Sequence, residues 1–97
     1  MKYDKLFETA KIGSLTLKNR FIMGAMGVGF AEMNGNPTDR TVAYYEERAK
    51  GGYALIITEV TRVQDTEFCT PLEPSLGSDK FIPGWKKVTD AVHAQGA

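Results

Sequence analysis

The run Tyr53-Ala-Leu-Ile-Ile-Thr-Glu-Val60, set off by Gly51-Gly52, is the feature that most constrains what this chain can fold into. Ala54 to Ile57 is too short for an independent helix and shows no polar-apolar alternation. That is the pattern of a parallel strand buried on both faces. A second strand of this kind, Arg20-Phe-Ile-Met-Gly-Ala-Met26, precedes it. Parallel strands require a crossover, and the intervening sequence supplies one. Gly24, Gly27, Gly29, Gly35 and Pro37 make a loop, Thr38 is an N-cap, and Asp39 complements the dipole of a helix running from about Asp39 to Lys50. Gly51-Gly52 closes it with a left-handed cap. Val42, Tyr45 and Ala49 recur at helical spacing and should face the sheet, with Glu46, Glu47, Arg48 and Lys50 mostly in solvent.

A second helix follows a long connection, Arg62 to Asp79, which carries Pro71 and Pro74 and belongs to the length class that usually serves a site. Ser78 or Asp79 opens the helix, Pro83 suits its first turn, Trp85, Val88 and Val92 line one face, and Gly96 caps it. His93, in the last turn, complements the carbonyl end. Upstream, Ile12, Leu15 and Leu17 flank Gly13-Ser14, which predicts an antiparallel hairpin with a type II′ turn, placed to plug the N-terminal end of a barrel. The fold class is therefore α/β: two strand-helix units behind a hairpin. The sequence stops at Ala97, where a third strand is due, so the expectation is the N-terminal portion of a larger parallel architecture; a whole α/β barrel takes roughly 250 residues.

Equal numbers of acidic and basic residues, interspersed, leave no electrostatic case for nucleic acid or an anionic membrane. The apolar runs fall well short of the ~20 residues a membrane span needs, and the start lacks the apolar core of a signal peptide. A cytoplasmic location is expected. The single cysteine, Cys69, can form neither an internal disulfide nor a tetrahedral metal site alone, and reads as a loop thiol.

In parallel α/β folds ligands bind at the carboxyl ends of the strands. Two stretches qualify, Gly24-Ala25-Met26-Gly27 and Thr58-Glu59-Val60-Thr61. The first could admit a flat aromatic cofactor against its backbone amides, or could be small merely for helix-strand packing. Glu59, a carboxylate ending an apolar strand, is an oddity. Neither an ordered Gly-x-Gly-x-x-Gly nor a Gly-Lys-Ser/Thr loop is present, which favours a barrel over an open dinucleotide fold.

Several segments together resemble the beginning of the Old Yellow Enzyme family of flavin barrels. They are Leu6-Phe7, Lys11-Ile-Gly-x-Leu-x-Leu-Lys-Asn-Arg20, Met23-Gly-Ala-Met26, Tyr44-Tyr45-x-Glu-Arg48-Ala-x-Gly-Gly52, Leu55-Ile-Ile-Thr-Glu59 and Trp85 through His93. The nearest branch by resemblance is that of the 2-enoate and 2,4-dienoyl-CoA reductases. The resemblance implies the first strand-helix units of a (β/α)8 TIM barrel, and FMN held against Gly24, Ala25, Met26, Gly27 and Val60. It also implies a hydride relay from NAD(P)H through flavin N5 to an α,β-unsaturated carbonyl or carboxylate. Ala25 stands where the family commonly has proline, and Gly27 where it often has a flavin-bonding Thr or Cys. The family's catalytic groups, its flavin-phosphate loops, and this branch's FAD and 4Fe-4S cluster would all lie outside these residues. The chain alone is thus expected to be inactive, to hold no metal, and to self-associate or belong to a larger chain. Two other readings stand beside it: a non-catalytic assembly piece, and an unrelated flavin barrel that uses a lysine or serine base.

Overall fold

The computed structural model describes residues 2–64 and 70–97. Cys69, read above as a loop thiol, lies outside the described residues. A single helical turn, α1 (Asp4–Phe7), leads into an antiparallel hairpin of β1 (Ala10–Ile12) and β2 (Leu15–Leu17). Ala10 pairs with Leu17 and Ile12 with Leu15, so Gly13-Ser14 is the two-residue loop. Gly13 has φ +58°, and Leu72 is the one non-glycine residue with positive φ among the described residues. A positive φ at Gly13 with none at Ser14 is what a type II′ loop requires, and type I′ would need both positive.

β3 (Ile22–Met23) and β4 (Leu55–Ile56) pair in parallel, Ile22 with Leu55 and Met23 with Ile56, across the helix α2 (Asp39–Lys50). Both strands are much shorter than the apolar runs at Arg20–Met26 and Tyr53–Val60. The ladder lasts only where each strand has the other beside it: the Ile57 amide still donates to the Met23 carbonyl at 3.0 Å, and beyond that the two chains turn into loops.

The sequence sets both ends of α2. The Thr38 hydroxyl accepts from the Thr41 amide while the Thr41 hydroxyl accepts from the Thr38 amide, a reciprocal capping box. At the other end the left-handed residue is Gly52, with φ +112°, while Gly51 stays helical at φ −67°. A 3₁₀ turn (Asp79–Phe81) precedes α3 (Ile82–His93), with Pro83 in its first turn.

Met23, Tyr45, Phe81, Trp85 and Val88 form the core, with Val42, Ile56 and Val92 packed against it. Helices α2 and α3 thus share one face of the parallel pair. Phe81, fully buried, closes this core from the 3₁₀ turn, where periodicity gives no signal. The opposite sheet face is open: Ile22 is 44% and Ile57 50% exposed.

The long connection is anchored rather than loose where it is described. Arg62 and Ser75 form a parallel bridge, the Arg62 amide donating to the Pro74 carbonyl at 2.9 Å and the Leu76 amide to the Arg62 carbonyl at 2.8 Å. The Trp85 indole N–H donates to the Ser75 carbonyl at 2.8 Å, tying this bridge to α3. Arg62 and Glu73, both buried, face each other at 3.9 Å, and Glu73 also accepts from the Thr70 amide and hydroxyl. Gly35 backs onto this cluster with φ +98°, and a Cβ there would overlap the Arg62 guanidinium and approach Ser75 Cβ to 2.7 Å.

Two outcomes follow. Gly35→Ala should destabilise the protein by about 3 kcal/mol, combining left-handed strain with overpacking, as read by chemical denaturation. The 97-residue chain in isolation, with Ile22, Ile57, Ile12 and Leu15 at 44–51% exposure, should self-associate. A monodisperse monomer in sedimentation, melting cooperatively, would contradict that expectation.

Candidate functional site

Because β3 and β4 are parallel, the residues that follow them emerge at the same end of the sheet. Gly24, Ala25, Met26 and Gly27 leave β3 there, and Thr58, Glu59, Val60 and Thr61 leave β4. The four residues after β3 are all exposed, as is Val60. A Cβ at either Gly24 or Gly27 would meet no heavy atom within 4 Å. Packing among the described residues therefore does not require these glycines to be small, contrary to the helix-strand alternative left open by the sequence. Nor do the amides of Ala25, Met26 and Gly27 make a hydrogen bond among the described residues.

Glu59 holds this rim together. It is 3% exposed, and its Oε2 accepts from the Val28 amide at 3.0 Å, linking the loop after β4 to the loop after β3. Its own amide donates to the Tyr45 hydroxyl at 2.8 Å, and its carbonyl accepts from the Thr61 hydroxyl at 2.8 Å. Its second oxygen, Oε1, is buried with no hydrogen-bond partner among the described residues. Tyr45 reaches the site from α2, where it is 1% exposed. Burial pushes its hydroxyl up to about 12, outweighing the opposing effect of the Glu59 amide that donates to it.

Thus the structure gathers Gly24, Ala25, Met26, Gly27 and Val60 at one edge. The spacing of the sequence put Tyr45 on the buried face of α2 but said nothing of its hydroxyl. An acid closing an apolar strand was the one available signal for Glu59. The buried charges Arg62 and Glu73 had none, because both sit in a loop without periodicity.

Two clefts lie away from the rim. One of about 580 Å³ is ringed by Phe7, Phe21, Gly52 and Tyr53 at the N-terminal ends of the strands. Another of about 530 Å³ lies between the starts of α2 and α3, near Thr38 and Pro83. Among the described residues no group of three or more His, Cys, Asp or Glu could hold a metal ion, and no helix is long and apolar enough to cross a membrane.

The chain belongs to the NADH:flavin oxidoreductase / NADH oxidase family, whose sequence model matches residues 5–97. It is 40% identical over 95 residues to a metal reductase of Desulforamulus reducens, with 95% of this chain and 14% of that protein covered. It is 38% identical over 101 residues to a cinnamate reductase of Clostridium sporogenes, covering 99% of this chain and 15% of that one. The old yellow enzyme from Trypanosoma cruzi superposes with a TM-score of 0.89 at 35% identity, over 100% of this chain and 26% of that structure. The chain spans about a seventh of the length of the two curated relatives, at 14% and 15%.

Tyr45→Phe should remove the acceptor of the Glu59 amide and leave that donor buried, destabilising the protein by ~1–2 kcal/mol. The raised hydroxyl gives a pH signature as well. Below about pH 10 both folded and unfolded tyrosine keep the proton, so the contribution is fully present; between about 10 and 12 only the unfolded state releases it, and stability falls. Denaturation midpoints measured across that range should drop more steeply for the native sequence than for Tyr45→Phe.

Proposed function

We propose that this chain supplies the opening strand-helix units of a (β/α)8 barrel in an NAD(P)H-dependent FMN oxidoreductase that reduces an activated C=C bond. The observation that carries the reading is the unobstructed strand-end rim in a chain of a flavin oxidoreductase family. Gly24 and Gly27 are small where no described protein atom demands it. That suits a flat ring brought against the main chain. The rim suits FMN: Gly24, Ala25, Met26 and Gly27 would hold the ring through backbone amides and absence of bulk, and Val60 would give it an apolar contact. Ala25 in place of proline keeps an N–H available. When bound, FMN supplies hydride transfer from a nicotinamide to the β-carbon of an α,β-unsaturated carbonyl or carboxylate. The name of one relative, a cinnamate reductase, accords with such a substrate.

Within this reading the chain's own residues bind and orient. Gly27 offers no side-chain donor to the flavin edge, so the tuning of its potential here falls to main-chain groups. The family's catalytic groups, the flavin-phosphate loops and, for the enoate-reductase branch, FAD and a 4Fe-4S cluster would belong to residues outside this chain.

The test is made on the full-length protein carrying this chain. It should purify with FMN and oxidise NAD(P)H in the presence of cinnamate or 2-cyclohexenone under anaerobic conditions. Ala25→Leu should lower flavin occupancy by ~1–3 kcal/mol of binding, the scale of an overpacked site. Gly27→Thr should add a hydroxyl donor worth ~1 kcal/mol to the reduced, anionic flavin, raising its midpoint by about 20–30 mV for a two-electron couple. Native flavin content and turnover in Ala25→Leu, or a midpoint that stays fixed in Gly27→Thr, would remove the rim from the cofactor.

A further inference from the structure

We propose that Glu59 is a positioning residue that sets the spacing between the two strand-end loops and, through it, the protein's grip on the flavin. The inference rests on the flavin reading of the rim. Three observations carry it. The side chain of Glu59 spans from the loop after β4 to the Val28 amide, one residue beyond Gly27, at 3.0 Å. Its backbone is in turn fixed from α2, since the Glu59 amide donates to the buried Tyr45 hydroxyl at 2.8 Å. Finally, Glu59 Oε1 is buried without a hydrogen-bond partner among the described residues, although the residue is only 3% exposed.

An unsatisfied carboxylate oxygen in the interior is unfavourable, and an apolar residue in its place would avoid the penalty. What the apolar residue could not supply is the acceptor for Val28. The carboxylate therefore does a specific job: a charge-assisted bond fixes the height of Gly27 relative to Val60, the two rim positions flanking it in sequence and in space. The flavin site is then a gap whose width is set by one side chain. A loop released by even a fraction of a bond length would present its amides to the ring at a poorer angle, which weakens binding and alters the field at the ring.

The experiment uses the full-length protein with Glu59→Ala and Glu59→Gln. Glu59→Gln keeps a carbonyl oxygen for Val28, whereas Glu59→Ala removes the acceptor. The dissociation constant for FMN should rise at least ~10-fold in Glu59→Ala, the loss of about one charge-assisted hydrogen bond, and return to within about threefold of native in Glu59→Gln. The flavin midpoint potential and the visible circular dichroism of the bound flavin should move in Glu59→Ala and be restored in Glu59→Gln. Hydrogen exchange at the Val28 amide should accelerate in Glu59→Ala alone. Native FMN affinity and potential in Glu59→Ala, with only the melting temperature lowered, would overturn the proposal and leave Glu59 a purely structural residue. A native full-length protein that binds no FMN would instead overturn the flavin reading, and this role with it. In that case protection of Val28 lost in Glu59→Ala would still show the loop tie, separating the two failures.

Discussion

The hydroxyl of Tyr45 is the contact that ties the crossover helix to the loop after β4. Buried in the face of α2, it accepts the amide of Glu59, and the Glu59 carboxylate accepts the amide of Val28. One phenol and one carboxylate thus connect the crossover helix to both strand-end loops. The parallel ladder between β3 and β4 is too short to hold those loops itself, with two residue pairs in register. Packing of Met23, Tyr45 and Trp85 supplies most of the cohesion, but it is non-directional. Direction comes from the hydrogen bonds, whose energies are modest in water and larger where water is excluded.

A similar division of labour appears at the long connection. Apolar side chains there, Val63 and Leu76 among them, are exposed, while polar ones are buried: Arg62, Glu73 and Ser75 are each under a tenth exposed. The Arg62–Glu73 pair and the main-chain bridge between Arg62 and Ser75 tie the described ends of the loop to each other. Breaking such a pair from one side is far more damaging than never having had it, because the surviving charge stays buried. Gly35 completes the arrangement by having no side chain.

Much of this was legible in the sequence where local chemistry decides the outcome. The span of α2 from Asp39 to Lys50 follows from Thr38 and Gly51-Gly52, and the hairpin follows from Gly13-Ser14, because caps and tight turns depend on a few neighbouring residues. Strand length was not legible. The apolar runs at Arg20–Met26 and Tyr53–Val60 state what could pair, whereas pairing depends on a neighbour that stands far away in sequence, as Ile56 does from Met23. Of the candidate site, the rim residues followed from the rule that ligands sit at carboxyl strand ends, applied to Gly24 through Gly27. The residues that hold the rim did not, since the bond from Glu59 to Val28 crosses 31 positions and leaves no periodic trace. Tyr45 was placed by helical spacing as an apolar face residue, a correct location that conceals its polar use.

The starts of the two strands carry a counterpart to the tie at their ends. Asn19 donates from its amide to the Gly52 carbonyl at 2.8 Å and accepts from the Phe21 amide at 2.9 Å, just ahead of β3. A side chain from outside the ladder therefore pins the pair at the bottom, as Glu59 does at the top. Sliding β3 one residue along β4 would turn Ile22 toward the helices and Met23 away from them. It would also pull both Asn19 and Glu59 off their partners at once. So short a ladder has little of its own to resist slippage, and these two polar anchors act as an alignment lock, rejecting the misregistered pairing that an apolar strand would otherwise tolerate.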